Sequence, residues 1–336
     1  MKQKDIAAAL GISTSTVSRV LSRNDTRSIS DEVKHKIIAM AFENGIKIKT
    51  RKYGILVGSH YEKVDDPYFA EIVQYAAKAF GELSYYRSFL CNAQEFDAMS
   101  DAELADVYGK IDGLIIIGVC QKDAYSRISR LTKNIVCINE MYSFIEICGL
   151  DTDLIKMPYD YITYDCYNIT IECVRYLAGM GRRKIIYVGG IENLNKGMNA
   201  RYAGYSTGMI EAGMEPKLFY TDSYDYSDGN KTATRLYKAE PFDAVICHND
   251  KIAVGFMERL QSFGVKIPDD VMIVGFDDIS LASYTNPQLT TVKVDVKGIG
   301  YMAAMIINAK VEGIITERVT MHSGLELIKR KSTGGC

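Results

Sequence analysis

No stretch of this 336-residue chain approaches the roughly 18 uncharged apolar residues that a membrane-spanning helix needs. Nor does Met1-Lys2-Gln3-Lys4-Asp5 open onto the apolar segment of a signal peptide. A cytoplasmic protein that touches no membrane is therefore expected. Histidine is scarce, with His35, His60, His248 and His322 the full set, and no Ser or Cys nucleophile has a matched base in view. No Gly-x-Gly-x-x-Gly follows a strand, which weakens a dinucleotide site at Gly189-Gly190. The eight cysteines (Cys91, Cys120, Cys137, Cys148, Cys166, Cys173, Cys247, Cys336) show no Cys-x-x-Cys and no Cys/His cluster. Neither a zinc site nor a disulfide framework is indicated, and the thiols read as reduced. No metal, no cofactor and no catalysis are expected, although an α/β enzyme using strand-end carboxylates, with His248 its catalytic-looking residue, stands as a rival.

With 47% hydrophobic and 24% charged residues the composition is that of an ordinary soluble globular protein, long enough for two or three units. The net charge of −2 hides an asymmetry. Residues 1–53 carry 11 Lys/Arg and 5 Asp/Glu, a net of +6, which leaves −8 for the rest. A basic head on an acidic body suits a head that meets phosphates.

The head has its own periodicity. Ile6, Ala7 and Leu10 share one face of a first helix, Gly11 supplies a sharp turn, Ile12 plugs the corner, and Val17, Val20 and Leu21 share one face of a second. This is helix-turn-helix spacing, the mark of a DNA-binding unit. A third helix is predicted from its N-cap Ser30 to Asn44-Gly45, with an apolar stripe of Ile37, Ile38, Ala41 and Phe42.

From Tyr53 short apolar runs alternate with amphipathic helices. The runs are 54–58, 85–91, 113–118, 135–139, 184–190, 218–221, 243–247, 271–276 and 289–294, and predicted helices include 67–83, 160–179, 251–263 and 296–312. Runs such as Leu114-Ile115-Ile116-Ile117 have no polar alternation, as strands buried on both faces of a parallel sheet require. So many strands divide naturally into two doubly wound parallel-sheet lobes. Ligands of such sheets bind beyond the strand carboxyl ends. The residues there are Asp65 to Phe69, Asn139-Glu140, Gly189 to Arg201, His248 to Asp250 and Phe276 to Asp278, an inventory of carboxylates, amides, a guanidinium and aromatic faces suited to a hydroxyl-rich ligand.

Several of these segments resemble the LacI/GalR family of bacterial transcription regulators. The likeness lies in Ala7 to Leu21, Arg201-Tyr202-Ala203-Gly204-Tyr205, Asn249 to Gly255, Ile267 to Val271, Val274 to Asp278 and Pro287 to Val292, and it runs in register along nearly the whole chain. The resemblance implies an all-α helix-turn-helix head and a periplasmic-binding-protein-like α/β sensor in which each lobe borrows a late piece of chain. It implies a homodimer that binds double-stranded operator DNA, most simply as a repressor of carbohydrate-utilisation genes, under allosteric control by a small sugar. The expected division is a DNA-binding domain at 1–46, a linker at 47–52, a sensor at 53–331 and a tail at 332–336. The first lobe is expected at about 53–156 and 294–318, the second at about 157–293 and 319–331.

By the same resemblance the ligand contacts fall on Arg201, Asn249 and Asp277, with Asn139 and the segment holding Asp66, Tyr68 and Phe69 beside them. Each of the first three also has a purely structural use: Asp277 capping a turn, Asn249 capping a helix, Arg201 in an ion pair. In the head, Thr14, Ser15 and Arg19 match positions that read base edges, Arg19 being suited to guanine O6/N7. Thr16 and Ser18 suit phosphates. Arg23, Lys34 and Lys36 read either as backbone contacts or as solvated charges.

Three departures from the family pattern stand out. The linker is short and holds no leucine, so wedging of a hinge helix into the minor groove is not expected. The Thr that caps the first helix in the family is missing, with Gln3 a poor substitute, and residues 329–336 hold no leucine heptad of the tetramer-forming kind. Residues 134–139, 149–153 and 66–69 look most like the branch containing the evolved β-galactosidase repressor, which points to a galactoside. The alternatives are a purine-type corepressor-sensing regulator and a solute-binding protein without a regulatory role.

Overall fold

The computed structural model describes residues 1–22, 28–46, 51–58, 66–107, 109–118, 126–138, 159–190 and 200–335. Two expected contact residues, Arg23 and Asn139, lie outside them.

The head is built from α1 (Gln3–Leu10), α2 (Thr14–Ser22) and α3 (Asp31–Glu43). Lys2 holds the N-cap of α1, and the Asp5 carboxylate reaches back to accept the Lys2 backbone N–H at 2.6 Å, placing a negative charge at the positive end of the helix. Gly11, at φ +65°, ends α1 in a conformation that costs a side-chain-bearing residue more. Ile6, Ala7, Val17, Val20, Leu21, Ile37 and Ala41 form the head's small core. Ser30 accepts the Val33 N–H and Gly45 turns left-handed beyond α3, as the sequence predicts. Phe42 departs from expectation and is 82% exposed. Ile37 and Ala41 are four residues apart and share a face, whereas one further residue turns about 100° away from it.

The sensor holds two six-stranded sheets, ordered β11-β5-β4-β3-β1-β2 and β12-β10-β9-β8-β6-β7. The first comprises β1 (Arg51–Val57), β2 (Tyr85–Asn92), β3 (Gly113–Ile117), β4 (Ile135–Ile138), β5 (Asp160–Tyr164) and β11 (Thr320–Ser323), all paired in parallel. The second comprises β6 (Ile185–Val188), β7 (Leu218–Phe219), β8 (Ala244–Cys247), β9 (Met272–Asp277), β10 (Thr290–Val294) and β12 (Leu325–Ile328), parallel except where β12 runs against β10. Strands β3, β4, β6 and β8 are buried along their whole length, which explains their uninterrupted apolar runs; β5 is equally buried but carries Asp160 and Thr163 among its tyrosines and isoleucine. No helix among the described residues is long and apolar enough to cross a membrane.

The chain passes between lobes later than the sequence suggests. Residues 160–164, expected to open a helix of the second lobe, form a strand of the first, and the helix begins at Cys166 under an Asp165 N-cap. Asp160 reads as a helix opener but is buried, accepting the Val319 N–H at 2.7 Å and pairing with Lys310 at 3.0 Å. Residues 320–323, expected in the second lobe, also pair into the first sheet, and the crossing falls at Gly324 between β11 and β12. Both late strands are short and half-exposed, so no apolar run announces them. The expected linker also loses two residues, because Arg51 and Lys52 are already in β1. Arg51 looks like linker charge yet is buried, paired to Glu312 at 2.6 Å and donating to Asn308 at 3.1 Å.

Helices cross one another on glycines. A Cβ at Gly229 would lie 2.1 Å from the Ile252 carbonyl oxygen, and one at Gly255 would lie 2.0 Å from the Tyr226 carbonyl oxygen. The helices Tyr226–Leu236 and Asp250–Ser262 thus pack backbone on backbone, which fixes where the second of them begins.

Candidate functional site

In the head, Ser13 starts α2. Its Oγ accepts the Thr16 N–H at 3.0 Å and lies 2.7 Å from the Ser15 hydroxyl and 2.8 Å from the Thr16 hydroxyl. This cap was missed in the sequence, although a Ser ahead of Thr14 is its ordinary signal. Thr14, Ser15 and Ser18 are exposed on the outer face of α2, while Thr16 and Arg19 are half-buried. The Arg19 Nε is buried without a hydrogen-bond partner. Lys36 pairs with Glu32 one turn away at 2.6 Å, and that hydrogen bond, with the lysine's charge, holds the Glu32 carboxyl below its usual range. Lys36 is thus a solvated intrahelical pair.

In the sensor, Arg201 enters from the first turn of the helix Ala200–Glu211. Its Nη1 donates to the His248 carbonyl at 2.6 Å, its Nη2 lies 3.6 Å from Asp277 Oδ1, and its guanidinium carbon sits 3.9 Å from the Phe276 ring centroid. Arg201 is buried, and the Asp277 side chain is nearly so. Asp277 reaches this pair because the backbone turns sharply after β9: Asp277 has φ +106° and Asp278 φ +55°, both unusual for residues that carry a side chain. Arg330 holds the turn through Asp278 at 2.6 Å.

Asn249 caps the helix Asp250–Ser262. Its Oδ1 accepts the Ile252 N–H at 2.9 Å and its Nδ2 donates to the Tyr224 carbonyl at 3.1 Å. The capping use of Asn249 is therefore present. His248 is half-buried beside it, with Nδ1 2.9 Å from the Tyr187 hydroxyl and its ring stacked on Tyr224 at 4.7 Å between centroids. Burial and the Arg201 cation push its pKa well below 6.5, so the ring is neutral. Gly189, φ +134°, gives the ring its room, since a Cβ there would lie 2.3 Å from that of His248. This close approach accounts for the glycine and removes the reason for reading a dinucleotide turn there.

The first lobe contributes less than expected. Asp66 caps the helix Pro67–Glu82 by accepting the Tyr68 N–H at 3.0 Å, and its Oδ2 lies 2.5 Å from Lys251 Nζ in the second lobe. Tyr68 is a core residue with its hydroxyl 2.6 Å from that of Tyr164, and Phe69 packs edge-on against it at 5.1 Å. Arg201, Asp277 and the His248-Asn249 step are thus brought together at the strand ends, whereas Asp66 reaches only Lys251, two residues beyond Asn249, and Tyr68 is withdrawn into the core. Lys251 and Tyr224 were missed. Lys251 directly follows Asn249-Asp250, but Tyr224 lies in a polar segment that offers no periodic signal.

Comparison with known proteins places this geometry. Residues 2–45 match the family described as bacterial regulatory proteins, lacI family, and residues 174–333 match a periplasmic binding protein-like domain. The HTH-type transcriptional repressor PurR of Mannheimia succiniciproducens is 28% identical over 346 residues, covering 98% of this chain and 97% of that protein. Two solved structures share the fold over 99% of both chains at a TM-score of 0.70: the regulator CelR in complex with cellobiose, at 22% identity, and the lac repressor dimer bound to operator and the anti-inducer ONPF, at 19%.

Proposed function

The chain belongs to the LacI/GalR family of bacterial transcriptional regulators, DNA-binding proteins with a ligand-sensing body, and from that premise we propose that it is a homodimeric repressor of carbohydrate-utilisation genes whose operator affinity is set by a small sugar, in the first instance a galactoside. Thr14, Ser15 and Arg19 read base edges in the major groove, and Thr16, Ser18 and Arg23 contact phosphates. Two heads are needed because one small recognition helix gives limited discrimination, whereas a two-fold pair reads a palindrome. The protein acts in the cytoplasm, on DNA, by binding rather than catalysis.

One observation carries the ligand reading: the buried Arg201–Asp277 pair lying on the face of Phe276. A guanidinium fork and a carboxylate 3.6 Å apart offer donors and acceptors side by side to a hydroxyl-rich ligand, with the buried Phe276 ring backing the guanidinium. Asn249, Asn139, Asp66 and Phe69 complete the contact set. The sugar shifts the lobes in proportion to the difference in its affinity for their two arrangements.

A purine effector is the second reading, favoured by the flat stacked surface of Tyr224 and His248. Calorimetry with lactose, galactose, cellobiose and guanine separates the two. Binding of a galactoside that also releases genomic fragments selected by the protein supports the sugar reading, and guanine binding without galactoside binding removes it.

A further inference from the structure

Lys251 lies in the second lobe, in the first turn of the helix Asp250–Ser262, and its Nζ approaches two carboxylates: Asp225 of its own lobe at 2.9 Å and Asp66 of the first lobe at 2.5 Å. The Lys251 and Asp66 side chains are only 13% and 14% exposed, so water screens their attraction far less than on an open surface. One turn past Asp66, Glu71 accepts a hydrogen bond from Ser280 of the second lobe at 3.4 Å. The two contacts place the same helix end of the first lobe against the second.

We infer that Lys251 is an inter-lobe clasp: its ion pair with Asp66 holds the lobes together in the effector-free protein. Burying an ion pair is costly, and breaking one by removing a partner is worse because it strands a charge. Here parting the lobes strands nothing. Lys251 keeps Asp225, and Asp66 keeps the Tyr68 N–H it caps while its other oxygen meets water. Each half of the clasp is provided for when open, so it is reversible. Burial pulls the lysine's pKa down, but Asp66 and Asp225 outweigh this and raise it, keeping the cation charged.

A clasp of this kind biases the lobes toward closure before any effector arrives, and an effector then acts on an equilibrium already tilted. That last step rests on the regulatory reading above; the clasp does not.

The test is a spin-label distance between the lobes in effector-free full-length protein. Labels go on Ala102→Cys in the first lobe and Ala239→Cys in the second, both exposed, in a background carrying Cys120→Ser, Cys148→Ser and Cys336→Ser, diluted with unlabelled protein so that each pair reports one chain. Asp66→Asn keeps the helix cap and removes the charge; Lys251→Met removes the cation. Both should move the main population to longer distance, while Lys251→Arg and Asp225→Asn retain the original one. If either Asp66→Asn or Lys251→Met, folded by its melting curve, keeps the original distribution, the clasp is wrong. Affinity for a genomic fragment selected by the wild type is the second readout. A longer distance with unchanged affinity leaves the clasp standing and overturns its regulatory role.

Discussion

The Thr291 hydroxyl donates a hydrogen bond of 2.6 Å to Asp250 Oδ1 in the buried interior of the second lobe. The other oxygen of that carboxylate accepts the Ile279 N–H at 2.9 Å. Asp250 follows Asn249, and Ile279 follows Asp277 and Asp278, so one side chain sets the spacing of two candidate contact segments. Gly275 leaves it room, since a Cβ there would lie 2.1 Å from Asp250 Oδ1.

Burial pushes the Asp250 pKa up from 3.8 to about 7, against the two hydrogen bonds that favour its charged form. Between those values the folded protein keeps a proton that the unfolded chain has released. This group therefore costs stability as pH rises from about 4 to about 7, by up to ~1.4 kcal/mol per unit, and the effect levels off above that. Asp250→Asn removes the slope. Urea unfolding at about pH 5.5 and about pH 7.5 should show the wild type losing ~1–2 kcal/mol relative to the variant, and parallel pH profiles would refute the assignment.

Arg201→Ala should abolish the response to the effector while leaving operator binding intact. It also leaves Asp277 buried without its cation, so a stability loss of about 3 kcal/mol is expected, the usual scale for breaking a buried pair. Arg201→Lys restores charge but not the flat fork on Phe276, and should recover stability better than effector binding. Operator affinity measured with and without effector decides; a folded Arg201→Ala protein that has lost DNA binding counts against the site.

Arg19→Ala should weaken binding to the selected operator by about 1–3 kcal/mol and relax base preference at one position of each half-site. Ser13→Ala should instead destabilise the head by about 1 kcal/mol through loss of the cap, with little change in which sequence is preferred. Competition binding against single-base operator variants tells the two effects apart.

Gly255→Ala should cost about 1–3 kcal/mol or more, because its new methyl group meets the Tyr226 carbonyl and forces the two helices apart. The shift also displaces Asn249 at the start of the same helix, so effector affinity should fall with stability. Thermal melting together with calorimetry checks both; unchanged values would mean that the crossing is looser than its geometry.

Strands with four or five consecutive apolar residues were legible because burial on both faces leaves no alternative to aliphatic side chains. Each of the nine runs coincides with one of the strands. Asp160–Tyr164 has the look of a helix start because the partner of its opening aspartate, the half-buried Lys310, lies 150 residues away, which no local pattern reveals. The three helices of the head are legible in the sequence, since helical periodicity is local; the Ser13 cap is not among the features read there, and Phe42 lies one residue beyond the face that Ile37 and Ala41 share. At the candidate site, residue type located Arg201 and Asp277, and their pairing required the left-handed turn after β9. Lys251 was invisible because an inter-lobe contact depends on how the two sheets meet.

Arg51 is where the body takes hold of the chain, clamped by Glu312, Asn308 and Tyr85. Ile46 is the last residue packed into the head, its N–H donating to the Ala41 carbonyl at 2.9 Å. Between them lie residues 47–50, and five steps of fully extended chain reach no more than about 18 Å. In the proposed dimer the two Arg51 roots therefore act as the jaws of a calliper. The contour length of residues 47–50 caps the distance between each head and its root, so the permitted separation of operator half-sites is dictated by the width of the body. Inserting a few base pairs between half-sites both lengthens that span and rotates one half-site around the duplex, and four intervening residues are too few to bridge either change.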